Sequence, residues 1–151
     1  MANKSLHWTV IPLRSITASE SKRYIYKRIL MTAYDYIEKN YKYIAIFTNL
    51  DKEKDLEIHK RNLNRKANEG FSGNWIIDKK RTFHKVLLYV RENGQNKIYL
   101  ADYLDRELIE GNRSRVYFRN LNFIDTTNLH WGDFTESKSS QNPIRYIEQK
   151  I

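Results

Sequence analysis

Phe83-His-Lys-Val-Leu-Leu-Tyr-Val-Arg-Glu-Asn-Gly-Gln-Asn-Lys-Ile-Tyr-Leu100 reads as two strands closed by a tight turn. Asn93-Gly94 suits a two-residue hairpin, because both central positions of the mirror-image turn need positive φ, which Asn and Gly tolerate. Residues rich in β-branched and aromatic side chains flank it, so His84 to Arg91 and Lys97 to Leu104 are expected strands. Working outward, the period stays near two. Asn74 to Ile77 precedes the hairpin and Arg113 to Phe123 follows it, which makes about 73–123 a β-rich unit.

Upstream the period changes. Thr17-Ala-Ser-Glu20 has the capping-box pattern, and Ile25, Ile29, Ala33 and Ile37 recur on one helical face. A helix from Ser19 to Lys39 is expected, with Lys22, Arg23, Lys27 and Arg28 in its first half. Leu6 to Ile11 reads as a strand ended near Pro12, and Tyr43 to Thr48 as a short buried strand. Asp51 to Ala67 reads as a second, exposed helix on Leu56, Leu63 and Ala67, with Gly70 as its stop. Thr126 to Asn142 is polar, and Pro143 to Glu148 reads as a last turn of helix or a strand. The expected architecture is one α+β domain over 1–151. Its N-terminal helical part, about 17–70, packs on a bent, mostly antiparallel sheet or a small barrel.

Composition narrows the function classes. The 151 residues are 40% hydrophobic and 30% charged, a globular but polar mixture. With no cysteine, the chain has no disulfide framework, zinc ribbon or thiol nucleophile, and it suits a reducing compartment. No run approaches the roughly 18 apolar residues of a membrane span, and the first residues lack a signal-peptide core. A cytoplasmic chain without membrane contact is expected. Twenty-seven Lys and Arg against 18 Asp and Glu give a net charge of +9, which draws polyanions. Lys, Asn, Ile and Tyr are all frequent, as in AT-rich coding, so part of the lysine excess has a mutational source.

Charge and aromatic residues interleave in the β-rich half. On Arg113 to Phe123, Arg115, Tyr117 and Arg119 share one face, while Val116 and Phe118 share the other. Guanidinium groups pair phosphates bidentately and an aromatic neighbour stacks a base. Lys79, Lys80 and Arg81 before the hairpin extend the basic set. The alternative is a solvated sheet face whose tyrosine packs on arginine stems. Trp8 reads as core. Trp75 follows Gly73-Asn74, and Trp131 sits in the polar loop His130-Trp-Gly-Asp133; either indole suits a base pocket or a core position with its N–H satisfied.

Gly73-Asn-Trp-Ile-Ile, Phe83-His-Lys-Val-Leu-Leu-Tyr89 and Lys97-Ile-Tyr-Leu-Ala-Asp-Tyr103 together resemble the PUA-like superfamily, which includes EVE, YTH and ASCH domains. The resemblance spans about Gly73 to Phe123. Met1 to Gly70 has no counterpart in it, and Phe83-His84-Lys85 stands where a Gly-Asp commonly precedes the hydrophobic strand. It implies a small barrel that reads a modified or unpaired base in an aromatic pocket over a basic groove. On that reading Trp75, Trp131, Tyr89 and Tyr117 line the pocket, and Lys79, Lys80, Arg81, Arg115 and Arg119 hold phosphates.

Catalytic constellations are sparse. Asp55, Glu57 and Lys60, or Asp102 and Asp105 beside Arg106, have the residue types of a metal-dependent nuclease without a specific spacing. His7, His59, His84 and His130 are scattered, and His59 with Asn62 or Asn64 lacks the strand-loop-helix setting of a His-Asn nuclease. No phosphate-cradling glycine loop and no nucleophile elbow occur. No cofactor is expected. The expectation is therefore a nucleic-acid-binding module, DNA or RNA. A small metal-dependent nuclease of a restriction or mobile-element system and a phage or host-defence protein-interaction factor stand as alternatives.

Overall fold

The computed structural model describes residues 31–52, 69–137 and 141–149. Its elements in chain order are α1 (Ala33–Tyr36), β1 (Lys42–Asn49), β2 (Gly70–Ile76), β3 (Lys85–Glu92), β4 (Gln95–Glu110), β5 (Arg113–Thr127), α2 (Trp131–Phe134) and β6 (Ile144–Glu148). The strands form one six-stranded sheet in the order β2-β5-β4-β3-β1-β6, curled into a half-barrel. Every pairing is antiparallel except that of β1 with β3, which is parallel.

β1 and β3 lie at the centre, and both faces of the sheet are covered there, so both read as unbroken apolar runs. Alternation sends Ile44, Ile46, Val86, Leu88 and Val90 to one face with Val116, Phe118 and Ile144. It sends Tyr43, Ala45, Leu87 and Tyr89 to the other, under Ala33 and Ile37 and under Trp131 and Phe134 of α2. Asn93 and Gly94 have φ of 54° and 73°, the expected hairpin turn. Asp51 ties that turn to the end of β1, accepting from the N–H groups of Asn93 and Gly94 at 2.8 and 3.1 Å.

Several expectations need correction. The strand at Asn74 starts earlier, at Gly70, which pairs with Phe118 and begins β2 rather than stopping a helix. β4 and β5 run well past the expected ends, to Glu110 and Thr127, joined through Gly111 and Asn112. The 143–148 segment is a strand. The helix expected from Ser19 to Lys39 does not run unbroken to its end: within the described residues only Ala33–Tyr36 is helical. Thr32 is extended (φ −106°, ψ 177°), and its N–H is capped by the Asp35 carboxylate at 2.9 Å. Ile37 is extended again, so a single periodic face had disguised a break. Described helix is thus short and scarce, and the sheet dominates where an N-terminal helical layer was expected. The strand at Leu6 to Ile11, the helical positions before Met31 and those from Glu53 to Ala67 lie outside the described residues, as do His7, Trp8, Asp55, Glu57, His59, Lys60, Asn62 and Asn64.

Candidate functional site: an aromatic-walled cleft

The C-terminal ends of β1 and β3 run side by side, placing Phe47 directly beside Tyr89. Their rings meet edge to face at 5.2 Å. α2 then brings in Trp131, stacked on Phe47 (5.7 Å, 26°) and edge-on to Tyr89 (5.3 Å). Polar bonds lock this arrangement. The indole N–H donates to the Asn142 carbonyl at 2.7 Å, the Tyr89 hydroxyl to the Leu129 carbonyl at 2.7 Å, and the Thr135 hydroxyl to the Trp131 carbonyl at 2.8 Å. Burial pushes the Tyr89 phenol up to about 12.

This aromatic wall borders an open cleft of about 630 Å³, within the range of small-ligand sites. Polar side chains complete its rim: Asn49 and Lys52 after β1, Arg91 and Asn96 from the hairpin, His130 and Asp133 around α2, and Gln141. Arg91 is fixed by Asn96 (2.8 Å) and by Asp51 (3.8 Å). Lys52, His130, Asp133 and Gln141 make no side-chain hydrogen bond or ion pair to a described residue, so their polar atoms face the cleft or solvent.

The structure brings together two of the four aromatic residues expected in a pocket, Tyr89 and Trp131. Trp75 lies apart from them, packed against the Val116 and Phe118 cluster, its N–H donated to Ser72 at 2.8 Å. A bulge explains its position. Strict alternation would put Phe71, Gly73 and Trp75 on one face, but Asn74 (φ 71°) interrupts the ladder between Gly73 and Trp75 and moves the indole to the face of Ser72 and Ser114. Tyr117 also lies elsewhere, its hydroxyl on Glu107 at 2.8 Å and its ring near Phe71.

The expected phosphate contacts divide as well. Arg115, Tyr117 and Arg119 do share a face of β5, but β4 sets an acidic residue across from each: Glu107, Asp105 and Asp102. Arg115 lies over the Phe71 ring at 4.5 Å, against Gly73, where a Cβ would meet its side chain at 3.4 Å. Its Nε is buried without a hydrogen-bond partner. Arg119 is exposed. Lys79, Lys80 and Arg81 are exposed on a turn closed by the Arg81 N–H on the Asp78 carbonyl at 3.1 Å. The Arg106 guanidinium braces that turn, donating to the carbonyls of Asp78, Lys79 and Arg81 at 3.2, 3.0 and 2.8 Å. Lys80 and Arg81 line a smaller cleft of about 280 Å³ with Lys42 and Tyr146, at the opposite end of β1 from Phe47.

Of the candidate catalytic carboxylates, Asp102 is held by Lys85 at 2.7 Å and Asn120 at 2.6 Å. These bonds lower its pKa, and the one to Asp102 raises that of Lys85. Asp105 accepts from the Arg106 N–H, and Arg106 itself is spent on the turn. Among the described residues no three His, Cys, Asp or Glu gather as a metal set, and no helix is long and apolar enough to cross a membrane. Asn49, Lys52 and Gln141 escaped the sequence reading, since polar residues at strand ends carry no periodic signal. Phe47 was detectable only as strand core. The arrangement is an aromatic wall facing a polar rim. No family model, curated protein or solved structure matches this chain.

Proposed function

We propose that the chain is a nucleic-acid-binding module that seats an unpaired or flipped base, ordinary or modified, in the cleft beside Trp131. The observation that carries this reading is the pairing, in one cleft, of a rigid aromatic wall with rim groups that have no internal partner. Planar heterocycles need that combination: apolar contact for the ring and hydrogen bonds at its edge. The chain's +9 charge supplies the long-range attraction. The PUA-like resemblance supports the same reading, since it implies an aromatic base pocket over a basic groove.

Phosphate contacts come from Lys52 at the cleft and from the exposed Lys79, Lys80, Arg81 and Arg119. Arg115, laid on Phe71 opposite Glu107, serves the sheet instead. The test is a titration of labelled single-stranded DNA, single-stranded RNA and duplex at low salt. Binding of single strands, weakened by joint Lys52→Ala and His130→Ala substitution, is the expected result. Undetectable binding to all three at low salt would end the reading.

A second reading draws on the distal arm of β4 and β5 with its neighbour β2. There Ile76, Leu104, Leu108 and Ile109 are exposed, Leu108 at 60%. Apolar side chains gathered on an exposed arm favour a protein partner. Copurification of a stoichiometric protein in place of nucleic acid would support it.

A further inference from the structure

We infer that the cleft beside Trp131 selects guanine, and that Asp133 makes the selection. This rests on the base-binding reading and goes beyond it by naming the base. The Watson–Crick edge of guanine presents two adjacent donors, N1–H and the 2-amino group, next to the acceptor O6. Adenine and cytosine present one amino donor beside a ring-nitrogen acceptor. Thymine and uracil present one imide N–H between two carbonyls. An ionised carboxylate only accepts, and its two oxygens match two neighbouring donors. It therefore pairs with guanine and meets acceptors on every other base.

Asp133 is the one carboxylate lining this cleft among the described residues. Unlike Asp51, Asp102 and Asp105, which hold the hairpin turn, Lys85 and the Arg106 N–H, it has no side-chain partner among them. Its backbone is nevertheless firmly placed. The Phe134 N–H donates to the His130 carbonyl at 2.8 Å, the Thr135 N–H and hydroxyl both donate to the Trp131 carbonyl, and the neighbouring indole is pinned to Asn142. The other cleft groups suit the rest of the purine. Lys52 and Arg91 are donors for O6 and N7, and Phe47 and Trp131 give the apolar contact a two-ring base uses best. The same carboxylate repels a phosphate, which favours entry of the base over the backbone.

Asp133 is exposed, so solvent holds the discrimination to the lower end for a bidentate contact, roughly tenfold. The experiment measures anisotropy of labelled thymidine oligonucleotides carrying one central guanine, adenine, cytosine, inosine or thymine. The wild-type chain should bind the guanine strand roughly tenfold tighter than the others. Inosine, which lacks the 2-amino donor, should lose most of that preference without any change to the protein. Asp133→Asn, checked for folding by circular dichroism, should bring the strands to within about twofold of one another. Equal wild-type affinities, an inosine strand as tight as guanine, or a guanine preference that survives Asp133→Asn each overturn the inference while leaving base binding standing. Absence of binding to any strand overturns both.

Discussion

Trp131 is held from three sides at once, by Phe47 on its face, Tyr89 at its edge and the Asn142 carbonyl at its N–H. At 6% exposure it is a structural member of the cleft wall as well as a surface for a ligand. Trp131→Phe keeps an aromatic ring but leaves the Asn142 carbonyl without its donor. We expect a loss of about 1–3 kcal/mol in urea unfolding. Trp131→Ala opens a cavity as well and should cost about 3–5 kcal/mol, so tests of binding belong on the rim residues. Tyr89 gives a second prediction at this scale. Its raised pKa means the folded chain holds the phenolic proton more tightly than the unfolded chain does. The stability this contributes is intact below the ordinary tyrosine pKa of about 10 and fades as pH rises toward about 12. Wild-type urea midpoints should therefore fall more steeply across that alkaline window than those of Tyr89→Phe. Parallel curves would contradict it.

Among the elements, the β4–β5 arm separates what the sequence made legible from what it did not. The Asn93-Gly94 hairpin and the run Val86 to Val90 were legible because a local turn rule and an apolar run each suffice. The extension of β4 through Asp105, Arg106 and Glu107 was not, because such residues favour a strand only once β5 supplies Tyr117, Val116 and Arg115 across from them. Face assignment failed for the same reason at Trp75, where one bulged residue reverses the phase of all that follows. Tyr89 and Trp131 could be nominated singly, but their meeting depends on α2 folding back over β3, which no local pattern encodes. The arm's best-defined polar bond is Lys85 to Asp102. With the carboxylate's pKa lowered, its stabilisation is present above about pH 4 and is lost as pH falls through the folded value. Asp102→Asn should cost about 1 kcal/mol near neutrality, between an exposed pair and a charge-assisted buried bond. The cost should shrink in acid. A cost independent of pH would show that the carboxylate's charge contributes nothing.

At the scale of the whole molecule, net charge overstates the basic surface offered to a polyanion. Arg115 and Arg119 face a line of carboxylates from β4, and Arg106 is turned inward to three carbonyls of the 78–81 turn. Lys79 and Lys80 are different, since that bracing presents them to solvent with the backbone already fixed. Counterion release turns this difference into a measurable slope. Each phosphate neutralised on a single strand contributes about −0.7 to the dependence of log K on log salt. If Lys52, Lys79, Lys80 and Arg81 are the phosphate contacts, the slope should be about −3. Joint Lys79→Ala and Lys80→Ala substitution should reduce its magnitude by about 1.4 and weaken every sequence alike, because phosphate contacts carry no base information. Arg106→Gln should act on the same slope less strongly, by loosening the turn while leaving its lysines in place, and should speed amide exchange at Arg81. Arg115→Gln should leave the slope unchanged. A slope that falls with Arg115→Gln but not with the lysine pair would move the phosphate path from the turn to the face of β5, where each basic residue has an acidic one across from it.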